Sequence, residues 1–181
     1  MKIPSRVLSI TFTVLIPTLA FPAGLPPWQF GMTKEQVKSF SQFGPYKSFS
    51  NGDLETFNGI YHGHKHNVQF FFQNSRLVRI RVYLGEGTDR DKAIITFRQA
   101  YGILEKDYGK LIIPEIHVAK GSDPVNANVL AIAAAGNAYV ATKTEMMPGK
   151  QPKNMRVSGA IMSDHLRGGN TFAVAIFFDP R

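Results

Sequence analysis

Three histidines alternate with other residues in Tyr61-His62-Gly63-His64-Lys65-His66, a spacing that would line up all three imidazoles on one side of an extended strand. Pairs of the form His-x-His on strands chelate zinc or copper through neutral ring nitrogens. Asp53 and Glu55, upstream on the same predicted strand, are the carboxylates placed to complete such a site. Gly63, Lys65 and Asn67 argue for a competing arrangement, a polar hairpin turn with its histidines in solvent. Zinc or copper on His62, His64 and His66 is thus the alternative to a chain with no cofactor.

Catalytic constellations are not evident. Ser163-Asp164-His165 holds the residue types of a hydrolase, but neighbours along a chain point apart, and no Gly-x-Ser-x-Gly elbow is present. Glu115, His117 and Asp123 fill catalytic roles no better, and Gly168-Gly169 precedes a strand pattern where a phosphate loop would precede a helix. The absence of Cys removes thiol nucleophiles, thiolate metal sites, disulfides and thioether lipid anchors together. The expectation is a protein that binds and does not catalyse.

The second candidate surface comes from two alternating runs. Val68, Phe70 and Phe72 form the apolar face of a strand over Asn67–Gln73, and Val78, Ile80 and Val82 that of a strand over Leu77–Leu84. For these faces to meet, Phe72 must pair with Val78 and Phe70 with Ile80, which an odd loop of Asn74-Ser75-Arg76 would allow. The opposite face then carries Gln69, Phe71 and Gln73 against Leu77, Arg79, Arg81 and Tyr83, with Phe71 against Arg79 and Gln69 against Arg81. Guanidinium groups interleaved with rings stack on them and pair bidentately with carboxylates, so this face is the predicted partner-binding surface. An ordinary solvated sheet face with a cation–π pair has the same composition.

Other elements position these runs. Thr33-Lys34-Glu35-Gln36 is a capping box, and Met32 with Val37 a hydrophobic staple, opening a helix that stops near Phe43-Gly44-Pro45. Trp28, just before it, reads as a core plug or a ligand platform. A strand is expected over Asp53–Tyr61. A helix is expected from about Asp89 to Tyr108, capped by Thr88 or Asp89 and ended by Gly109, its stripe running through Ile94, Phe97, Tyr101, Leu104 and Tyr108. Gly102 lies inside that helix, where it is unfavourable, and reads as a close approach to a neighbour. Strands are expected over Val129–Ala135, Ala138–Thr144, Met155–Ser163 and Thr171–Phe178. The last is apolar on both faces and is predicted to lie deep in a sheet.

At the amino terminus Lys2 and Arg6 precede an uncharged run from Val7 to Ala20, interrupted by Pro17. That is a secretory signal, expected over residues 1–23 with cleavage after Ala23 or Ala20. The run is too short for a transmembrane anchor. Loss of Lys2 and Arg6 with the leader takes the formal charge of this 181-residue chain from +8 to +6. A basic exported protein meets acidic surfaces in the envelope before nucleic acid, and no nucleic-acid-binding motif accompanies the charge. With 44% hydrophobic and 19% charged residues, residues 24–181 suffice for a single domain, divisible into halves 24–87 and 88–181. The order of elements predicts α+β: two helix-plus-antiparallel-strand units, their helices packed on one sheet face.

The run Phe30-Gly31-Met32-Thr33-Lys34-Glu35-Gln36-Val37 resembles the Gly-Met-Thr-x-x-x-Val helix start of small bacterial envelope domains, the SmpA/OmlA (BamE) and β-lactamase-inhibitor-protein-like families. The resemblance implies helices on one face of an antiparallel sheet, bacterial export, and protein binding through the open face. Together these readings predict a periplasmic or secreted protein whose partner is a protein with an acidic surface.

Overall fold

Thr33 opens the first helix as its box requires: its Oγ1 accepts from the Gln36 amide at 3.3 Å, and its own amide donates to Gln36 Oε1 at 2.8 Å. The helix that follows, α1 (Lys34–Lys38), is one turn long and buries Val37. In this computed structural model, which describes residues 24–112, 142–164 and 171–181, α1 gives way to a 3-10 turn over Ser41–Phe43. Gly44 then continues as extended backbone at φ −72°, not as the left-handed cap its position suggested. Ahead of α1, β1 (Gly24–Leu25) and β2 (Trp28–Gln29) pair around Pro26-Pro27, so a segment expected to be extended folds back on itself. Trp28 is the core plug: it is 1% exposed, with its ring 4.8 Å from those of both Phe43 and Phe70.

The remaining strands are β3 (Lys47–Ser48), β4 (Leu54–Tyr61), β5 (His64–Gln73), β6 (Arg76–Gly87), β7 (Leu111–Ile112), β8 (Thr142–Pro148), β9 (Met155–Asp164) and β10 (Thr171–Pro180). They form one antiparallel sheet of eight strands in the order β3-β4-β5-β6-β10-β9-β8-β7. The expected strand Val129–Ala135 lies outside the described residues. The one expected over Ala138–Thr144 is described from Thr142 and runs on to Pro148.

This architecture corrects the α+β expectation of two helix-and-strand units. The molecule is mostly β, because the carboxyl-terminal strand β10 enters between β6 and β9 and pairs with both. Its two apolar faces suit that central place. Residues 24–87 and 88–181 therefore contribute to one continuous sheet. Among the described residues one long helix, α2 (Arg90–Tyr108), covers it, capped by Asp89 and ended by Gly109 at φ 81°. Phe97, Ala100 and Leu104 of α2 are fully buried among Val68, Phe70, Ile80, Val82, Ile161 and Ile176 of the sheet.

The β5–β6 hairpin corrects a second expectation. Its turn is the two-residue Asn74-Ser75, with φ 49° and 60°, the conformation of a primed turn whose twist matches the flanking strands. Phe72 faces Leu77, not Val78, and a bulge then restores Phe70 to Ile80 and Phe71 to Arg79. The bulge moves Leu77 from the predicted outer face into the core, where it is 1% exposed.

Candidate functional site

The outer sheet face, opposite α2, brings together Gln69, Phe71, Arg79, Arg81 and Tyr83, while Leu77, also expected there, lies in the core. Phe71 stands against Arg79 and Gln69 against Arg81. Arg81 is the centre: its guanidinium lies 4.7 Å from the Phe71 ring centroid, 5.0 Å from Phe177 and 5.6 Å from Tyr83. Its Nη1 donates to Tyr83 Oη at 2.7 Å and to Gln69 Oε1 at 3.5 Å. Tyr83 in turn donates to Gln69 Oε1 at 3.2 Å, and Gln69 Nε2 donates to the buried Glu55 at 3.3 Å. Charge-assisted bonds of this kind fix a long side chain in one rotamer. Arg81 Nε is buried and has no acceptor among the described residues.

Arg79 is more exposed and pairs with Asp179 of β10, Nε to Oδ1 at 2.5 Å. Next to it lies a groove of about 490 Å³, lined by Phe71, Arg79, Asp179 and Arg156 of β9. Sequence reasoning missed Phe177, Asp179 and Arg156, because only the insertion of β10 between β6 and β9 brings these strands together. Alternation along Phe177-Phe178-Asp179 was the available signal for one face; the identity of the neighbouring strand had none.

The histidines occupy the other side of the sheet. His62-Gly63 forms the β4–β5 turn, with φ 47° and 78°, so the turn reading of Gly63 holds, while His64 and His66 lie on β5. All three border a cavity of about 590 Å³ between this hairpin and α2, together with Tyr61, Leu84, Gln99, Gly102, Ile103 and Lys106. His62 Nε2 is engaged by Asp107 Oδ2 at 2.8 Å. His66 Nδ1 lies 3.1 Å from the Tyr83 carbonyl, an acceptor only, so Nδ1 carries the proton and Nε2 keeps its lone pair. Burial lowers the His66 pKa, and His64 and His62 nearby lower it further, against the carbonyl's opposite pull. Among the described residues no group of three or more His, Cys, Asp or Glu side chains is arranged to hold a metal ion.

Tyr61 and Gly102 were not predicted as site residues. Tyr61 is 6% exposed, and its buried hydroxyl has no hydrogen-bond partner among the described residues. Burial, then the neighbouring Tyr108 and Asp107, push its pKa well above the ordinary phenol value, so it stays a donor. Gly102 was read as a close approach; the structure shows the reverse, since a Cβ there would meet nothing within 4 Å. The glycine leaves space.

Of the catalytic residue types weighed in the sequence, Glu115, His117, Asp123, His165, Gly168 and Gly169 lie outside the described residues, as does the expected signal segment, residues 1–23. No helix among the described residues is long and apolar enough to cross a membrane. Comparison of the chain with protein-family models, with curated proteins and with solved structures finds no match.

Proposed function

We propose that this is an exported protein of the bacterial envelope, periplasmic or secreted, that acts by binding a protein with an acidic surface, as an inhibitor, an immunity-type protein or an assembly accessory. The observation that carries this reading is the groove beside Phe71, where Arg79 and Arg156 flank the one carboxylate of Asp179. Two guanidiniums against one carboxylate leave an excess positive charge next to an aromatic ring, the composition of an interface anchor for an acidic side chain. The bonded lattice around Arg81 supports the reading further, because a face already held in one conformation loses less entropy when a partner docks.

The test is capture of a partner from envelope and secreted fractions by the chain starting at Gly24, alongside the double variant Arg79→Ala/Arg156→Ala. Arg81 is left untouched because it holds the face together. A stoichiometric partner that the double variant loses, with its urea midpoint near that of the parent, is the expected result. Equal capture by both proteins would overturn the surface assignment.

A periplasmic zinc- or copper-binding protein is the second reading, favoured by one feature. A histidine whose Nδ1 donates to a carbonyl presents Nε2 as a ready ligand, which is the state of His66. Equilibrium dialysis with zinc and copper at micromolar concentration tests it, and no bound metal removes it.

A further inference from the structure

The cavity between the β4–β5 turn and α2 has a chemistry of its own, independent of the outer face. Its volume of about 590 Å³ falls within the roughly 300–1,000 Å³ of small-molecule sites. We infer that it is a binding site for a small organic anion: an apolar, ring-sized body bearing one carboxylate or sulfonate group.

Three observations lead there. The first is the space itself, because Gly102 sits in the interior of a 19-residue helix, where glycine is the least favourable residue after proline. No packing contact requires it, since a Cβ would meet nothing within 4 Å. What the missing side chain provides is room between α2 and the hairpin.

The second is Tyr61, which lines the cavity, is 6% exposed, and has a buried hydroxyl without a partner among the described residues. Native structures rarely leave such a group unsatisfied. Being held protonated, it keeps a proton to donate to an acceptor brought in from outside.

The third is charge. Lys106 of α2 lines the cavity, and Asp107, the carboxylate beside it, is already engaged by His62 at 2.8 Å. A lining with an ammonium group and no uncommitted carboxylate favours an anion over a metal ion. Leu84, Ile103 and the Tyr61 ring supply apolar wall for the rest of the ligand. His66 Nε2, an acceptor, suits a hydroxyl or N–H adjacent to the anionic group.

The full chain would be titrated with 8-anilinonaphthalene-1-sulfonate, followed by fluorescence, beside its uncharged analogue N-phenyl-1-naphthylamine and zinc chloride. Saturable one-to-one binding of the sulfonate is expected, with weaker binding of the uncharged analogue. Tyr61→Phe and Lys106→Met should each weaken the sulfonate about tenfold or more, the loss of one hydrogen bond to a charged group. Lys106→Met should leave the uncharged analogue unchanged. Gly102→Leu, which fills the space from a helical position, should abolish binding with the circular dichroism spectrum and thermal midpoint retained. Should Gly102→Leu fail to fold, the Tyr61 and Lys106 variants decide alone. Sulfonate binding indifferent to both of these, or lost instead in Arg79→Ala/Arg156→Ala, would overturn the inference, as would zinc binding without sulfonate binding.

Discussion

The two sides of the sheet each contain a buried polar atom without a partner, and the two settings differ. On the outer face Arg81 Nε belongs to a guanidinium flanked by Phe71, Tyr83 and Phe177, whose Nη1 is bonded to Tyr83 and Gln69. On the α2 side the buried Oη belongs to Tyr61, a residue that lines an open cavity. A donor sealed between rings is a cost of building the face, whereas a donor on a residue that lines open space can be completed by a ligand. The outer face is therefore a rigid platform whose proposed docking groups, Arg79 and Arg156, stand at its rim. The inner site is a vessel.

The largest effect that would sharpen this contrast is on stability. Arg81→Ala removes three ring contacts and two hydrogen bonds at once and should lower unfolding free energy by about 3 kcal/mol in urea titrations. Arg79→Ala breaks one exposed ion pair and should lower it by less than about 1 kcal/mol. Equal losses would mean that the face has no central residue and that the rim is as structural as the centre.

A smaller effect of opposite sign is expected inside. Tyr61→Phe deletes a hydroxyl that has nothing to bond and should raise stability by about 1 kcal/mol in the absence of ligand. Gly102→Ala should raise it by about the same amount, through helix propensity alone. Thermal melts of both variants measure this. A lower midpoint for Tyr61→Phe would show that its hydroxyl is already satisfied, and the contrast between the faces would collapse.

The smallest effect concerns pH. The folded state depresses the His66 pKa below its ordinary 6.5, so the unfolded chain binds the proton more readily. The resulting stabilisation is complete above pH 6.5 and is lost as pH falls through the folded value. His66→Gln should flatten that acid-side decline. An unchanged slope in the variant would place the pH dependence elsewhere.

Much of this molecule is legible one window at a time. The Thr33 box, the cap at Asp89 and the stop at Gly109 were readable because each depends on residues three or four apart. The alternation over β5 and β6 likewise identified which side chains share a face, and the Phe70–Ile80 and Gln69–Arg81 pairings follow from it. Even so, the turn was misjudged: a three-residue loop and a two-residue turn followed by a bulge give the same pairing at Phe70, and only the fate of Leu77 tells them apart.

What the sequence determined on its own was thus the local elements, the absence of thiol chemistry and the residues of the Arg and aromatic face. The tertiary structure decided that the chain forms one mostly-β sheet, not two α+β units, because the choice of pairing partner for β10 depends on contacts across the whole chain. That same choice set Phe177 and Asp179 beside Arg81 and Arg79. The inner cavity was out of reach of any pattern, since it exists only where Gly102, on a helix, comes to lie over histidines of a hairpin some forty residues earlier. Periodicity records which way a side chain points; the space left between two elements is a property of both together.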